Sequence, residues 1–91
     1  MNQKSAYSCC ILLCFLKNTS YNNIKETIQG ADKQMTEFNI LNDLSESTKY
    51  NIVNSLISAG ILYSKTQESS KERKLYISEK AKNVNPINSY L

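Results

Sequence analysis

The sequence predicts a mainly α-helical domain with a small β-hairpin near its C-terminal end, and three observations carry that expectation. Residues 44–60, L-S-E-S-T-K-Y-N-I-V-N-S-L-I-S-A-G, contain a complete helix: Ser45 as N-cap, an apolar stripe, and Gly60 as the stop. After Gly60 the hydrophobic period shortens, so that I-L-Y and L-Y-I read as two strands around a charged, polar connection. Only two Gly and one Pro occur in 91 residues, which suits helices joined by few tight turns.

Taken in order, Lys4 to Lys17 form the first predicted helix. Tyr7, Cys10, Ile11, Cys14 and Phe15 line one side, while Leu12, Leu13 and Leu16 fill the others. A helix apolar nearly all round must be covered on more than one side. A core of this size is also marginal alone. Together these predict a homodimer with Tyr7, Cys10, Ile11, Cys14 and Phe15 at its interface. Thr19 or Ser20 then caps a second helix from Tyr21 to about Gln29; Gly30 offers a stop, and continuation through Ala31 to Gln34 stays open. A short third helix runs from Thr36 to Asn42-Asp43, with Phe38 and Leu41 inward.

The fourth helix covers 46–59 and buries Ile52, Val53, Leu56 and Ile57. In the hairpin, Ile61 and Tyr63 share a face; Leu75 and Ile77 point inward, Lys74 and Tyr76 outward. The connection Thr66 to Glu72 is long and polar, with no two-residue turn signal. Ser78 caps a short final helix, so residues 1–82 make one domain and 83–91 a tail.

Cys9, Cys10 and Cys14 lie together in an apolar run, and an odd, bunched count does not make a disulfide framework. They read as buried small hydrophobes, which implies a reducing cytoplasm. No histidine and no second cysteine cluster exists to complete a zinc site, so neither metal nor cofactor is expected. The run at 6–16 is too short to span a bilayer, and no small-residue cleavage site follows it, so no membrane role is expected. Without histidine the commonest general base is missing. The two glycines stand thirty residues apart, too far for a phosphate loop. A non-enzymatic protein is expected.

The net charge of +3 is mild. Its excess sits in the hairpin, where Lys65, Lys71, Arg73 and Lys74 stand against Glu68 and Glu72, and in the segment after it, where Lys80 and Lys82 stand against Glu79. That permits a polyanionic partner.

The order of predicted elements resembles the winged helix-turn-helix domains of bacterial, archaeal and phage regulators, the MarR type above all. F-N-I-L-N-D-L-S-E-S-T-K-Y-N-I-V-N-S-L-I-S-A-G-I-L follows that family's spacing. Phe38, Leu44, Ser45, Ser47, Thr48, Ile52 and Leu56 fall on its expected positions, followed by Ala59-Gly60-Ile61-Leu62 and by Ser78-Glu79-Lys80 after the wing. The resemblance covers roughly residues 36–82. Asn42 departs from it, standing where the family has an apolar residue, and so does Lys49, standing where it has a buried Val. The Lys49 stem is expected along the core, with its ammonium snorkelling outward.

The resemblance implies a recognition helix at 46–59 and a wing at 61–78. Ser47, Thr48, Tyr50, Asn51 and Asn54 present hydrogen-bonding groups suited to base edges in a major groove. Ser45 with the helix N-terminus could hold a phosphate, and Lys49 joins this set. Lys65, Lys71, Arg73 and Lys74 would lie on the DNA backbone or in the minor groove. The expected function is sequence-specific binding of double-stranded DNA as a homodimer, in transcriptional regulation. Two alternatives stand beside it. One is an adaptor that binds a centromere in plasmid or phage DNA segregation, recruiting a protein through the tail. The other is a winged-helix protein-interaction module that binds no DNA. A redox role for the three thiols is a further alternative.

Overall fold

The computed structural model describes residues 2–18, 20–66 and 73–82. Thr19, the connection 67–72 with Lys71, and the tail 83–91 lie outside the described residues. The elements run α1 (Gln3–Lys17), β1 (Ser20–Tyr21), α2 (Ile24–Glu37), α3 (Glu46–Ser58), β2 (Leu62–Thr66), β3 (Arg73–Ile77) and α4 (Glu79–Lys82). The fold is mainly helical with a small antiparallel sheet, whose three strands lie in the order β1-β3-β2.

Each helix begins on a polar cap. Asn2 accepts from the Ser5 N–H at 2.8 Å, Asn23 from Glu26 at 2.8 Å, Ser45 from Thr48 at 3.2 Å, and Ser78 from Ala81 at 3.2 Å. Both α2 and α3 end in the same geometry. At the end of α3, Gly60 takes φ +77°; its N–H bonds to the Ile57 carbonyl and the Ile61 N–H to the Leu56 carbonyl, each at 3.0 Å. At the end of α2, Asn39 takes φ 55°; its N–H bonds to the Thr36 carbonyl at 3.0 Å, and the Ile40 N–H to the Met35 carbonyl at 2.9 Å. This is the Schellman closure, in which one left-handed residue satisfies two last-turn carbonyls.

The Asn39 closure corrects two sequence expectations. The second helix does not stop at Gly30; it starts at Asn23 rather than Ser20 and continues through Gly30 to Glu37. A Cβ at Gly30 would meet the Tyr21 hydroxyl at 3.2 Å and Cys14 Sγ at 3.5 Å, so Gly30 makes room for a neighbour rather than ending a helix. The third predicted helix, Thr36 to Asp43, does not form. Residues 40–45 cross from α2 to α3 without regular structure, leaving Phe38 and Leu41 outward, 50% and 64% exposed. Ile40, also offered by the sequence as inward, and Leu44, expected as the buried residue of the turn, do pack partly against the core.

Ser20 and Tyr21, expected at a helix start, form a two-residue strand. Ser20 stands opposite Tyr76 and Tyr21 opposite Leu75. The β2-β3 hairpin pairs Leu62 with Ile77, Tyr63 with Tyr76, Lys65 with Lys74, and Thr66 with Arg73. As expected, Leu75 and Ile77 point inward; with Leu62 they are fully buried.

The core gathers Tyr7, Cys10, Ile11 and Phe15 of α1, Ile28, Ala31 and Met35 of α2, Val53 and Leu56 of α3, and Leu62, Leu75 and Ile77 of the sheet. The first helix is apolar nearly all round because α2, α3 and β3 of its own chain pack against it. The expected dimer interface is therefore corrected. Tyr7, Cys10, Ile11, Cys14 and Phe15 are each at most 5% exposed within the single chain and have no surface to offer a partner. On the outward edge of α1, Leu16 is 41% exposed and Leu12 and Leu13 are half-buried.

Candidate nucleic-acid interface

The helix expected to read DNA is α3, and a partly buried polar cluster sets its position. Asp32 Oδ1, on α2, accepts from the Tyr7 hydroxyl at 3.0 Å, from Asn42 Nδ2 at 2.9 Å and from Lys49 Nζ at 3.0 Å. One carboxylate thus ties together α1, α2, the connecting segment and α3. Tyr7 also reaches the Ile28 carbonyl at 3.2 Å, and Lys49 Nζ lies 5.8 Å from the Tyr7 ring centroid. Burial would raise the Asp32 pKa. The hydrogen bonds from Asn42, Lys49 and Tyr7, with the charge of Lys49, outweigh it and hold the carboxylate below its ordinary value. Burial pushes the Tyr7 hydroxyl the other way, well above the phenol range, and its bond to Asp32 adds to the rise.

The cluster gives a structural role to two polar residues at positions where apolar ones were expected. Asn42 and Lys49 both point at Asp32, which gives each polar group a partner. Asn42 Oδ1 is buried without a partner, so the amide is held through its nitrogen alone. Lys49 is corrected as a DNA contact: its side chain is 9% exposed and its ammonium faces Asp32, with the exposed Glu46 at 3.6 Å. The expectation that it snorkels outward fails because an inward carboxylate offers a better partner than water. No sequence pattern marked Asp32 itself. Its only signal was two polar residues at positions where burial was expected.

The outward side of α3 carries Ser47, Tyr50, Asn51 and Asn54, all exposed. Ser45 and Thr48 are engaged with each other. The Ser45 hydroxyl accepts from the Thr48 N–H and lies 2.9 Å from the Thr48 hydroxyl and 3.2 Å from that of Ser47. The cap therefore occupies one of the N–H groups at the helix start, that of Thr48.

The hairpin divides its cations between two faces. Tyr63, Lys65, Lys74 and Tyr76 alternate with the buried Leu62, Leu75 and Ile77, so they share the outer face. Arg73 has the parity of Leu75 and sits exposed beyond the core edge, on the side of the sheet that the helices cover. Among the described residues no ion pair neutralises Lys65, Arg73 or Lys74.

Cys9, Cys10 and Cys14 are buried free thiols. Burial, then the neighbouring thiols, push Cys10 up to about 11, and burial raises Cys9 and Cys14 as well. Among the described residues no group of three His, Cys, Asp or Glu side chains could hold a metal ion, and no helix is long and apolar enough to cross a membrane. Comparison with protein-family models, with curated proteins and with solved structures found no match.

Proposed function

We propose that this protein binds double-stranded DNA through α3 and the β2-β3 hairpin as a winged helix-turn-helix protein. The observation that carries the reading is the surface of α3. Ser47, Tyr50, Asn51 and Asn54 stand outward on a helix whose opposite side is locked to α1 and α2 by Asp32 and Lys49. A fixed helix with outward amides is what direct readout of base edges requires. The element order α1-β1-α2-α3-β2-β3 and the strand order β1-β3-β2 support a winged architecture with α2 and α3 as the helix pair. Lys65, Arg73 and Lys74 would add phosphate contacts.

The test is fluorescence anisotropy with a duplex from the gene's own upstream region, across a salt series. Asn51→Ala/Asn54→Ala should weaken binding by about tenfold or more, as expected for lost bidentate base contacts. Arg73→Ala/Lys74→Ala should flatten the salt dependence by a slope of about 1.8, two phosphates' worth. No binding to that duplex or to bulk genomic DNA at low salt would overturn the reading. A single pseudo-palindromic site would mark a transcriptional regulator, and an array of repeated sites a segregation adaptor.

One observation favours a second reading, a protein-docking face. With Lys49 turned inward, the only charge left outward on α3 is Glu46, whose side chain is 73% exposed. A face of amides, a tyrosine and one carboxylate also suits a protein partner. That reading predicts loss of a pulled-down partner, with no DNA shift, in Asn51→Ala/Asn54→Ala.

The dimeric state belongs to the proposal as well. Among the described residues, we assign it to the Leu12, Leu13 and Leu16 edge of α1. Leu16→Asp should then halve the mass measured by sedimentation equilibrium, and an unchanged mass removes that edge as the interface.

A further inference from the structure

The outer face of the sheet has a character of its own. Tyr63 and Tyr76 stand opposite each other across β2 and β3, with ring centroids 5.3 Å apart and planes 16° from parallel. Two residues along each strand, Lys65 and Lys74 also stand opposite each other. Like charges directly across a sheet are destabilising. Among the described residues no carboxylate pairs with either, and none of the strand residues is acidic. Lys74 leans toward the Tyr76 ring, its Nζ 5.7 Å from the centroid. Tyr63 is 47% exposed, and none of the four belongs to the core. The helices pack on the other side of the sheet and leave this face uncovered.

We propose that this face docks single-stranded nucleic acid. A half-exposed ring backed by a second ring offers a platform on which a base can stack, a contact that tolerates any base sequence. An anion between the facing lysines would offset their repulsion, and a backbone phosphate can supply it within reach of the stacked base. An unpaired strand supplies both groups in one ligand, whereas a duplex keeps its base faces stacked on one another. The inference does not depend on the reading of α3.

The experiment uses a fluorescein-labelled oligothymidylate, which forms no duplex with itself, by anisotropy across a salt series. Tyr63→Val keeps a β-branched residue in the strand while removing the ring, and Tyr63→Phe keeps the ring. Tyr63→Val should weaken binding by about tenfold, the loss of one stacked base, while Tyr63→Phe binds like the parent. Lys65→Ala/Lys74→Ala should lower the salt slope by about 1.4 for two single-strand phosphates. Duplex binding is read through Asn51→Ala/Asn54→Ala and oligothymidylate binding through Tyr63→Val, so failure of the duplex reading and failure of this one are separable. Absence of binding at low salt overturns the proposal. So does binding that Tyr63→Val leaves intact while polyglutamate competes as well as the oligonucleotide, because the face would then be an acidic-protein surface.

Discussion

Replacing Asp32 by Ala tests whether one carboxylate holds α3 in place. Three donors converge on its Oδ1: the Tyr7 hydroxyl, Asn42 Nδ2 and Lys49 Nζ, all within 3.0 Å. Hydrogen bonds to a charged group are each worth about 1.5–3 kcal/mol. The Asp32 side chain is 36% exposed, so solvent screening roughly halves those values. Tyr7 retains the Ile28 carbonyl, whereas the Lys49 ammonium, 9% exposed, keeps only the exposed Glu46 at 3.6 Å. Stranding a buried charge is the costly part, and the expected loss is about 3 kcal/mol. At 4–8 °C per kcal/mol for a domain this small, Tm should fall by roughly 12–24 °C. Lys49→Met should cost about 1 kcal/mol or less. It removes the charge along with its partner interaction, keeps the apolar stem, and leaves Asp32 with two donors and water. Urea denaturation followed by far-UV circular dichroism would measure both. Equal losses in the two variants, or a loss below about 0.5 kcal/mol in Asp32→Ala, would refute the argument that Asp32 is the hub and Lys49 its dependent.

Further expectations follow from the same geometry. The Asp32 pKa is lowered on folding, so its contribution is complete above the ordinary 3.8 and is lost as pH falls from there through the lowered value; acid titration of stability should show this loss, and Asp32→Ala should abolish it. Gly60→Ala should cost about 1 kcal/mol by chemical denaturation, because φ is +77° and no neighbouring atom lies within 4 Å of the added Cβ. Gly30→Ala should fail to give the gain of about 0.5–1 kcal/mol usual for a helix interior, because the Cβ meets Tyr21 and Cys14. Cys9, Cys10 and Cys14 should alkylate with iodoacetamide far more slowly at neutral pH in the native chain than in urea, since burial keeps the thiols protonated and enclosed; native rates matching those in urea would refute that enclosure.

Local signals alone were enough for α3 and the hairpin. Ser45 and Gly60 act through hydrogen bonds and a backbone angle confined to a few neighbouring residues, so the helix between them is legible without knowing what it packs on. The alternation that buries Leu75 and Ile77 is likewise a property of the strand itself. Elsewhere contacts distant in sequence decided. Asn39 rather than Gly30 ends α2, because Asn tolerates the left-handed region and Gly30 answers to a tyrosine nine residues earlier. Ser20 and Tyr21 became a strand because β3 offered them an edge to pair with. Tyr7, Cys10, Ile11, Cys14 and Phe15 are covered by their own chain, and Lys49 turned inward because Asp32 lies seventeen residues before it. Composition and periodicity record how apolar a side chain's surroundings must be. Only the packed structure determines whose atoms supply them.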